Sequence, residues 1–322
     1  MGRMTSLKAA RRTLAEDALD GLTRPAKELP PKHFYDARGA ELFDRICELP
    51  EYYPTRAERA ILEERSAEIV AATGAAELVE LGSGTAAKTR LLLRAMAEAG
   101  TLRRYVPLDV TEAMVLTCAD ELVDEFPGLR VHGIVGDFER HLPQVPESDG
   151  PRIVAFLGGT IGNFTPGTRR RFLRAIAKLL RPGVDHLLLG TDLVKDPAVL
   201  EAAYDDSAGV TAEFNRNVLR VINRELDADF DVEAFEHVAF SDREREWIEM
   251  RLRATRRMDV HVGRLGLDVS FAPREELRTE ISAKFTIKRL GADLAAAGLE
   301  LTDVLTDPEE LFALSLSARR AG

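Results

Sequence analysis

LVELGSGTAAKT (residues 78–89) reads as an apolar strand, a Gly-rich turn and the opening of a helix. Such a turn brings backbone N–H groups close to a ligand at a helix N-terminus. Gly82, Gly84 and Ala87 fit the dinucleotide pattern G-x-G-x-x-G/A. The same residues come within one position of a P-loop, with Ala87 where its last Gly would stand. Glu80, two positions before Gly82, separates the readings. A carboxylate there repels a phosphate but attracts a ligand that carries an ammonium and a sulfonium. The segment is therefore read as a loop for S-adenosylmethionine (SAM), with Gly82, Ser83 and Gly84 meeting the ligand. NAD and a nucleoside triphosphate are the competitors.

Outward from this loop, apolar runs alternate with helical patterns from about residue 57 to 195. The runs are ELVELG, RYVPLD, LRVHGIVGD, RIVAFLG and HLLLGTD, and the helical stretches include TRLLLRAMAEAG and TRRRFLRAIAKLLRPG. Alternation of this kind predicts a parallel sheet flanked by helices, with ligands at the carboxyl ends of the strands. It then breaks. Residues 198–230 carry helical spacing, and residues 234–284 read as antiparallel strands in which apolar and charged residues alternate. A helix (IKRLGADLAAAGLE) and two strands (LTDVLTD, LFALSLSA) follow, as if the first domain resumed. The expected fold is α/β: a seven-stranded, Rossmann-like SAM-binding domain from 57–195 and 285–322, its last strand antiparallel. Residues 1–56 and 196–284 are expected to form a second α+β lobe, with the substrate in the cleft between the lobes.

The whole chain limits the function classes. It has 322 residues, 45% of them hydrophobic, and a net charge of −10. That balance argues against a nucleic-acid partner, whose binding rests on phosphate neutralisation. No apolar run approaches the roughly 20 residues that span a bilayer, and the charged N-terminus has no apolar signal core. Cys47 and Cys118 lie far apart and lack metal-ligand spacing. A cytoplasmic monomer without a metal, acting on a small molecule, is expected.

Further residues support a nucleoside ligand. Asp109 ends the second strand, 25 residues after Gly84, where an acid can hold ribose hydroxyls. It serves NAD equally well and also suits a helix N-cap. Asp137 and Phe138 follow the third strand, placed to accept from an adenine amino group and to pack on its ring. After the fourth strand, FLGGTIGNFTP (156–166) holds glycines where a P-loop enzyme would want a metal-binding acid. Gly158 there lets backbone approach the reacting centre, and Asn163 offers a neutral donor and acceptor.

Two segments point to the substrate. HFYDARG and PEYYPT hold Tyr35, Tyr52 and Tyr53, three of the five tyrosines. Tyrosines suit an amine: the hydroxyl orients it, and the ring face attracts the cation formed on methylation. Aromatic packing gives the same pattern. In TEISAKF (279–285), Glu280 and Ser282 are two apart on a strand and share a face. They could grip the two nitrogens of an imidazole, although a solvated sheet face reads the same way.

Taken together, PPKHFYDARGAELFDRICELPEYYPTR, VELGSGTAAKTR, FLGGTIGN, GTDLVKDP, AYDDSAGVTAEFNRNVL, IEMRLRA and TEISAKF resemble the ergothioneine-pathway histidine Nα-methyltransferases over essentially the whole chain. The resemblance implies SAM-dependent trimethylation of the L-histidine α-amine to hercynine, with S-adenosylhomocysteine (SAH) as the other product. It puts Glu80, Gly82, Lys88, Asp109, Asp137 and Phe138 at cofactor positions. Asn163 and Tyr204 match residues that hold the substrate carboxylate, and Tyr35 and Gly158 match positions near the α-amine. Tyr52, Met250, Glu280 and Ser282 match the wall around the imidazole. Tyr35 and Asn163 are the residues expected to orient the amine for attack. His33, Gly159 and Ala283 depart from the pattern, where an aromatic, a Ser and a Cys are common. Relatives of the family methylate a prenylated tryptophan, so another aromatic amine is the alternative substrate.

Overall fold

The computed structural model describes residues 3–6, 13–84 and 86–320. Thr85 of the Gly-rich loop and part of the charged N-terminal stretch lie outside the described residues. The chain divides into two compact units, residues 1–11, 56–193 and 285–322 in the first, and 12–55 and 194–284 in the second.

In chain order the elements are β1 (Arg3–Ser6), α1 (Leu14–Leu22), α2 (Ala37–Glu48), α3 (Pro54–Thr73), β2 (Glu77–Leu81), α4 (Thr89–Glu98), β3 (Arg104–Asp109), α5 (Glu112–Glu125) and β4 (Arg130–Val135). There follow α6 (Phe138–His141), β5 (Arg152–Phe156), α7 (Pro166–Leu179), β6 (His186–Asp192), α8 (Pro197–Tyr204) and α9 (Val210–Leu226). The last group is β7 (Phe235–Asp242), β8 (Trp247–Ala254), β9 (Met258–Val262), β10 (Leu267–Phe271), β11 (Glu276–Ala283), α10 (Ile287–Ala296), β12 (Leu299–Thr306) and β13 (Phe312–Arg319).

The first unit is built on one sheet of order β1-β4-β3-β2-β5-β6-β13-β12. The seven strands expected from the sequence are present, and β13 runs antiparallel to both its neighbours, β6 and β12. An eighth strand is added at the far edge. Arg3–Ser6 pairs in parallel with residues 132–135 of β4, which corrects the assignment of everything before residue 57 to the second lobe. Those few residues find an open parallel edge, and backbone pairing needs no apolar pattern to draw them there.

β2 is buried at all five positions, as a strand flanked by parallel neighbours and covered on both faces must be. α4 buries Thr89, Leu92, Leu93 and Met96, a helical stripe at i, i+3, i+4 and i+7. Each of its large apolar side chains contributes about 1.5–3 kcal/mol by leaving water. The chain order reverses between β2 and β5, since β3 lies on one side of β2 and β5 on the other. Ligands bind beyond the carboxyl ends of such a pair. The loops leaving β2 and β5 carry the Gly-rich turn and Gly158.

The second unit holds a three-stranded antiparallel sheet, β11-β8-β7, and a β9-β10 hairpin. α9 buries Phe214, Val218, Leu219 and Ile222 and packs with α2. Asp36 caps α2 by accepting from Gly39 N–H and is itself held by the Asn217 amide at 2.7 Å. β11 contains a bulge between Arg278 and Glu280. The hydroxyl of the extra residue, Thr279, shares its one proton between Asn215 Oδ1 at 2.6 Å and Met250 O at 3.0 Å. Beyond it, Glu280 stands opposite Met250 and Ser282 opposite Ile248. Among the described residues of the chain, no helix is long and apolar enough to cross a membrane.

Candidate active site

In the first unit the proposed cofactor residues gather at the carboxyl ends of β2, β3 and β4. Asp109 Oδ2 accepts from Gly84 N–H at 3.0 Å and Oδ1 from Thr111 N–H at 2.9 Å. One carboxylate thus ties the Gly-rich turn to the end of β3. Each oxygen retains a lone pair for a ribose hydroxyl. Asp137 caps α6 through Glu139 N–H at 2.9 Å, engaging one oxygen. The Phe138 ring abuts Phe156, Phe172 and Phe164 at centroid distances of 5.2, 5.8 and 6.4 Å, forming an apolar platform. Ser83 Oγ is buried with no hydrogen-bond partner, and the space where Gly84 would carry a Cβ is open to 4 Å. A buried hydroxyl left unsatisfied beside open backbone fits a polar ligand lying on the turn. These residues suit SAM: open backbone and an unsatisfied hydroxyl along the turn, and carboxylate lone pairs left on Asp109 and Asp137 beside the Phe138 platform.

Glu80 departs from the expected role. It is buried, and its oxygens accept from the Thr89 and Tyr105 hydroxyls. Loss of water raises its carboxyl to about 7, against those hydrogen bonds and the charge of Lys88. Glu80 therefore knits β2 to β3 and the start of α4, and any pull on a cationic ligand acts from behind the loop. Lys88 ion-pairs with Glu58 rather than standing out from the turn.

Glu58 was not foreseen from the sequence. It is fully buried on α3, and its oxygens accept from Gly158 N–H at 2.8 and 3.0 Å. Gly158 and Gly159 have φ of +76° and +67°, a left-handed pair that glycine adopts without strain. Gly190 makes room for the carboxylate, since a Cβ there would lie 2.2 Å from Glu58 Oε1. The buried acid, the paired lysine and the Gly158 amide fix the loop that runs on to Asn163. Asn163 ends the short 3-10 turn Thr160–Asn163 and is half-buried.

In the second unit the substrate candidates also come together. Tyr52 and Tyr204 meet edge to face at 6.4 Å, while Phe43 contacts both Tyr35 and Tyr52. The Tyr52 phenol is pushed well up, first by loss of water and then by Tyr204, Cys47, Tyr35 and Glu280 nearby. Tyr204 Oη donates to Ser282 Oγ at 2.9 Å. Burial raises the Glu280 carboxyl to about 7, and the charge of Lys284 works against that rise. Tyr35 is 48% exposed, with Phe43 and Phe214 against its ring. Tyr53 takes a different part: its hydroxyl accepts from Lys195 Nζ at 2.8 Å.

Lys284 was also missed, although its signal was present. Glu280, Ser282 and Lys284 repeat at every second residue, and Lys284 directly follows β11 with its backbone N–H still donating to Glu246 O. Phe43 and Phe214 carried no comparable mark, because aromatic residues on amphipathic helices read as core.

A family model described as histidine-specific, SAM-dependent methyltransferase matches residues 14–319. The chain is 54% identical over 311 residues to the histidine N-alpha-methyltransferase of Mycolicibacterium smegmatis, covering 97% of this chain and 96% of that protein. To the histidine N-alpha-methyltransferase of Mycobacterium tuberculosis it is 55% identical over 306 residues, 95% of each chain. A shorter match, 36% identical over 202 residues, reaches ergothioneine biosynthesis protein 1 of Neurospora crassa, covering 61% of this chain and 23% of that one.

Proposed function

Because this chain belongs to the SAM-dependent histidine-specific methyltransferases, we propose that it trimethylates the α-amine of L-histidine to hercynine, the first step of ergothioneine synthesis. SAM supplies an activated methyl group, and the nitrogen lone pair displaces SAH as the new N–C bond forms. An α-amine has a reference pKa of roughly 8, so a fraction is already neutral at physiological pH. The residues then have to orient that lone pair and exclude water.

The observation that carries the substrate reading is the pairing of Glu280 with Ser282 on the sheet face to which neighbouring β8 contributes Met250, opposite Glu280. A carboxylate and a hydroxyl side by side match the two nitrogens of an imidazole. Against an indole, Glu280 would be poorly satisfied. We assign the imidazole wall to Tyr52, Met250, Glu280 and Ser282, the carboxylate to Asn163 and Tyr204, and the amine to Tyr35 and Gly158. Glu80, Gly82, Ser83, Gly84, Lys88, Asp109, Asp137 and Phe138 are the proposed cofactor set, with Glu80 and Lys88 acting through the loop. We expect a cytoplasmic enzyme that works as a monomer.

The test is mass spectrometry of histidine incubated with the protein and SAM. Three successive methyl additions are expected. Methylation of tryptophan in preference to histidine would overturn the substrate and leave the fold reading intact.

A further inference from the structure

Asn215, in the FNRN run of α9, is fully buried. A buried amide in mid-helix must find its partners off the helix. Its Nδ2 donates to the Arg251 carbonyl of β8 at 3.1 Å and lies 2.8 Å from His237 Nδ1 of β7. Its Oδ1 takes a share of the Thr279 hydroxyl proton, in the β11 bulge, at 2.6 Å. The Arg251 carbonyl can only accept, and that fixes the amide: turned over, it would set oxygen against oxygen at 3.1 Å. One side chain of α9 thus reaches all three strands of the sheet.

The same reasoning fixes the ring of His237, whose side chain is 2% exposed. Nε2 lies 2.8 Å from the Tyr204 carbonyl, which only accepts, so Nε2 carries a hydrogen. Nδ1 faces an amide N–H and is therefore bare. The imidazole is neutral, and burial agrees, holding it below its ordinary value of 6.5. The bond to Tyr204 O and the charges of Asp205 and Asp206 work against that lowering, and Arg216 of α9 reinforces it. The β8 residue opposite His237 is the uncharged Leu252.

Tyr204 is the last residue of α8, where carbonyls have no partner within the helix. His237 supplies one. We propose that Asn215 and neutral His237 are positioning residues for the substrate: the amide orients the ring, and the ring pins the end of α8 that presents Tyr204 beside Tyr52 and Ser282. This rests on the assignment of Tyr204 to the histidine substrate.

The experiment pairs nitrogen-15 NMR of the native protein, labelled in its histidine rings, with the kinetics of variants. The His237 signals, assigned by their loss in His237→Gln, should report N–H at Nε2 and a bare Nδ1 at neutral pH. Asn215→Asp sets a carboxylate opposite Nδ1 and should add a second ring proton; a ring that stays neutral there would overturn the part given to Asn215. His237→Leu should raise the histidine KM about tenfold, the usual scale of one hydrogen bond, with kcat and the SAM KM nearly unchanged. His237→Gln brings an amide N–H within reach of Tyr204 O and should keep a near-native histidine KM. A proton on Nδ1 of the native protein would overturn the proposal whether or not any variant folds. So would a His237→Gln variant as impaired as His237→Leu, or a SAM KM that rises with the histidine KM. If His237→Leu does not fold, a histidine KM raised about tenfold in His237→Gln is the overturning result. Failure of the native protein to methylate histidine would instead sink the substrate reading, with the ring tautomer still read from the NMR.

Discussion

Glu58 and Gly158, 100 residues apart, are joined by two hydrogen bonds from a single amide, to Oε1 at 2.8 Å and Oε2 at 3.0 Å. The same carboxylate pairs with Lys88, so one buried acid couples the loop after β5 to the residue that opens α4. Glu58→Gln keeps the volume and removes the charge. It should destabilise the fold by about 1.5–3 kcal/mol, the range for a hydrogen bond to a charged group. Urea unfolding measures this. Calorimetric SAH affinity should fall as well, because Gly158 and Lys88 lose a common anchor; an unchanged SAH affinity would mean that the clasp is purely structural.

Gly190→Ala tests the same clasp by crowding it. The new Cβ would sit 2.2 Å from Glu58 Oε1 and 3.2 Å from the Phe312 ring, so the carboxylate must move. Overpacking of this kind costs about 1–3 kcal/mol. If displacement of Glu58 is the cause, Gly190→Ala should cost much less in a Glu58→Ala background, which leaves room for the new methyl group, than in the native one, read as a shift in urea midpoint.

Burial, opposed by hydroxyls and Lys88, leaves the Glu80 carboxyl at about 7 against an ordinary value of 4.5. The folded protein therefore holds a proton that the unfolded chain has released. Stability from this group is complete below about pH 4.5 and is lost as pH rises through about 7. Glu280, raised to about 7 by burial, has the same sign. Asp36 and Asp206 act in the opposite sense. Burial alone would raise them, but hydrogen bonds hold them below their ordinary value of 3.8, so their contribution fades as pH falls. Glu80→Gln should flatten the decline between pH 4.5 and 7 by about 1–3 kcal/mol, seen in unfolding midpoints across that range. Parallel native and variant profiles would mean that Glu80 is ionised throughout.

Tyr35→Phe keeps the ring against Phe43 and Phe214 and deletes the hydroxyl. With one orienting hydrogen bond gone, trimethylation should slow about tenfold, and mono- and dimethylated products should accumulate in time-resolved mass spectra. A native product distribution would show that Tyr35 serves by its ring alone.

Much of the first unit could be read from its sequence, because parallel strands leave continuous apolar runs and the Gly-rich turn has a local signature. Acids at strand ends, such as Asp109 and Asp137, are legible for the same reason. Glu58 was not, since its partners Gly158 and Lys88 lie 100 and 30 residues away and a glutamate on a charged helix carries no mark of burial. The bulge in β11 was equally hidden. Strict alternation would put Glu280 on the face of Glu276 and Arg278, the solvated side. The extra residue, Thr279, moves it to the face of Leu277, Leu252 and Met250 instead. The pairing of Glu280 with Ser282 could be read from sequence because both lie beyond the bulge; the face they take could not.

The place of β13 has a consequence for how the chain is made. β6 receives its second neighbour from residues 312–318, which leave the ribosome only after all of residues 194–284. In that interval β6 presents its leucine-rich run, residues 187–189, along an open edge, the kind of surface that recruits other chains. Residues 194–284 follow β6 directly in the chain, and their sheet is built from antiparallel neighbours close in sequence that can form early. Conditions that slow synthesis through residues 285–319 should therefore lower the soluble yield without changing the stability of the molecules that do complete.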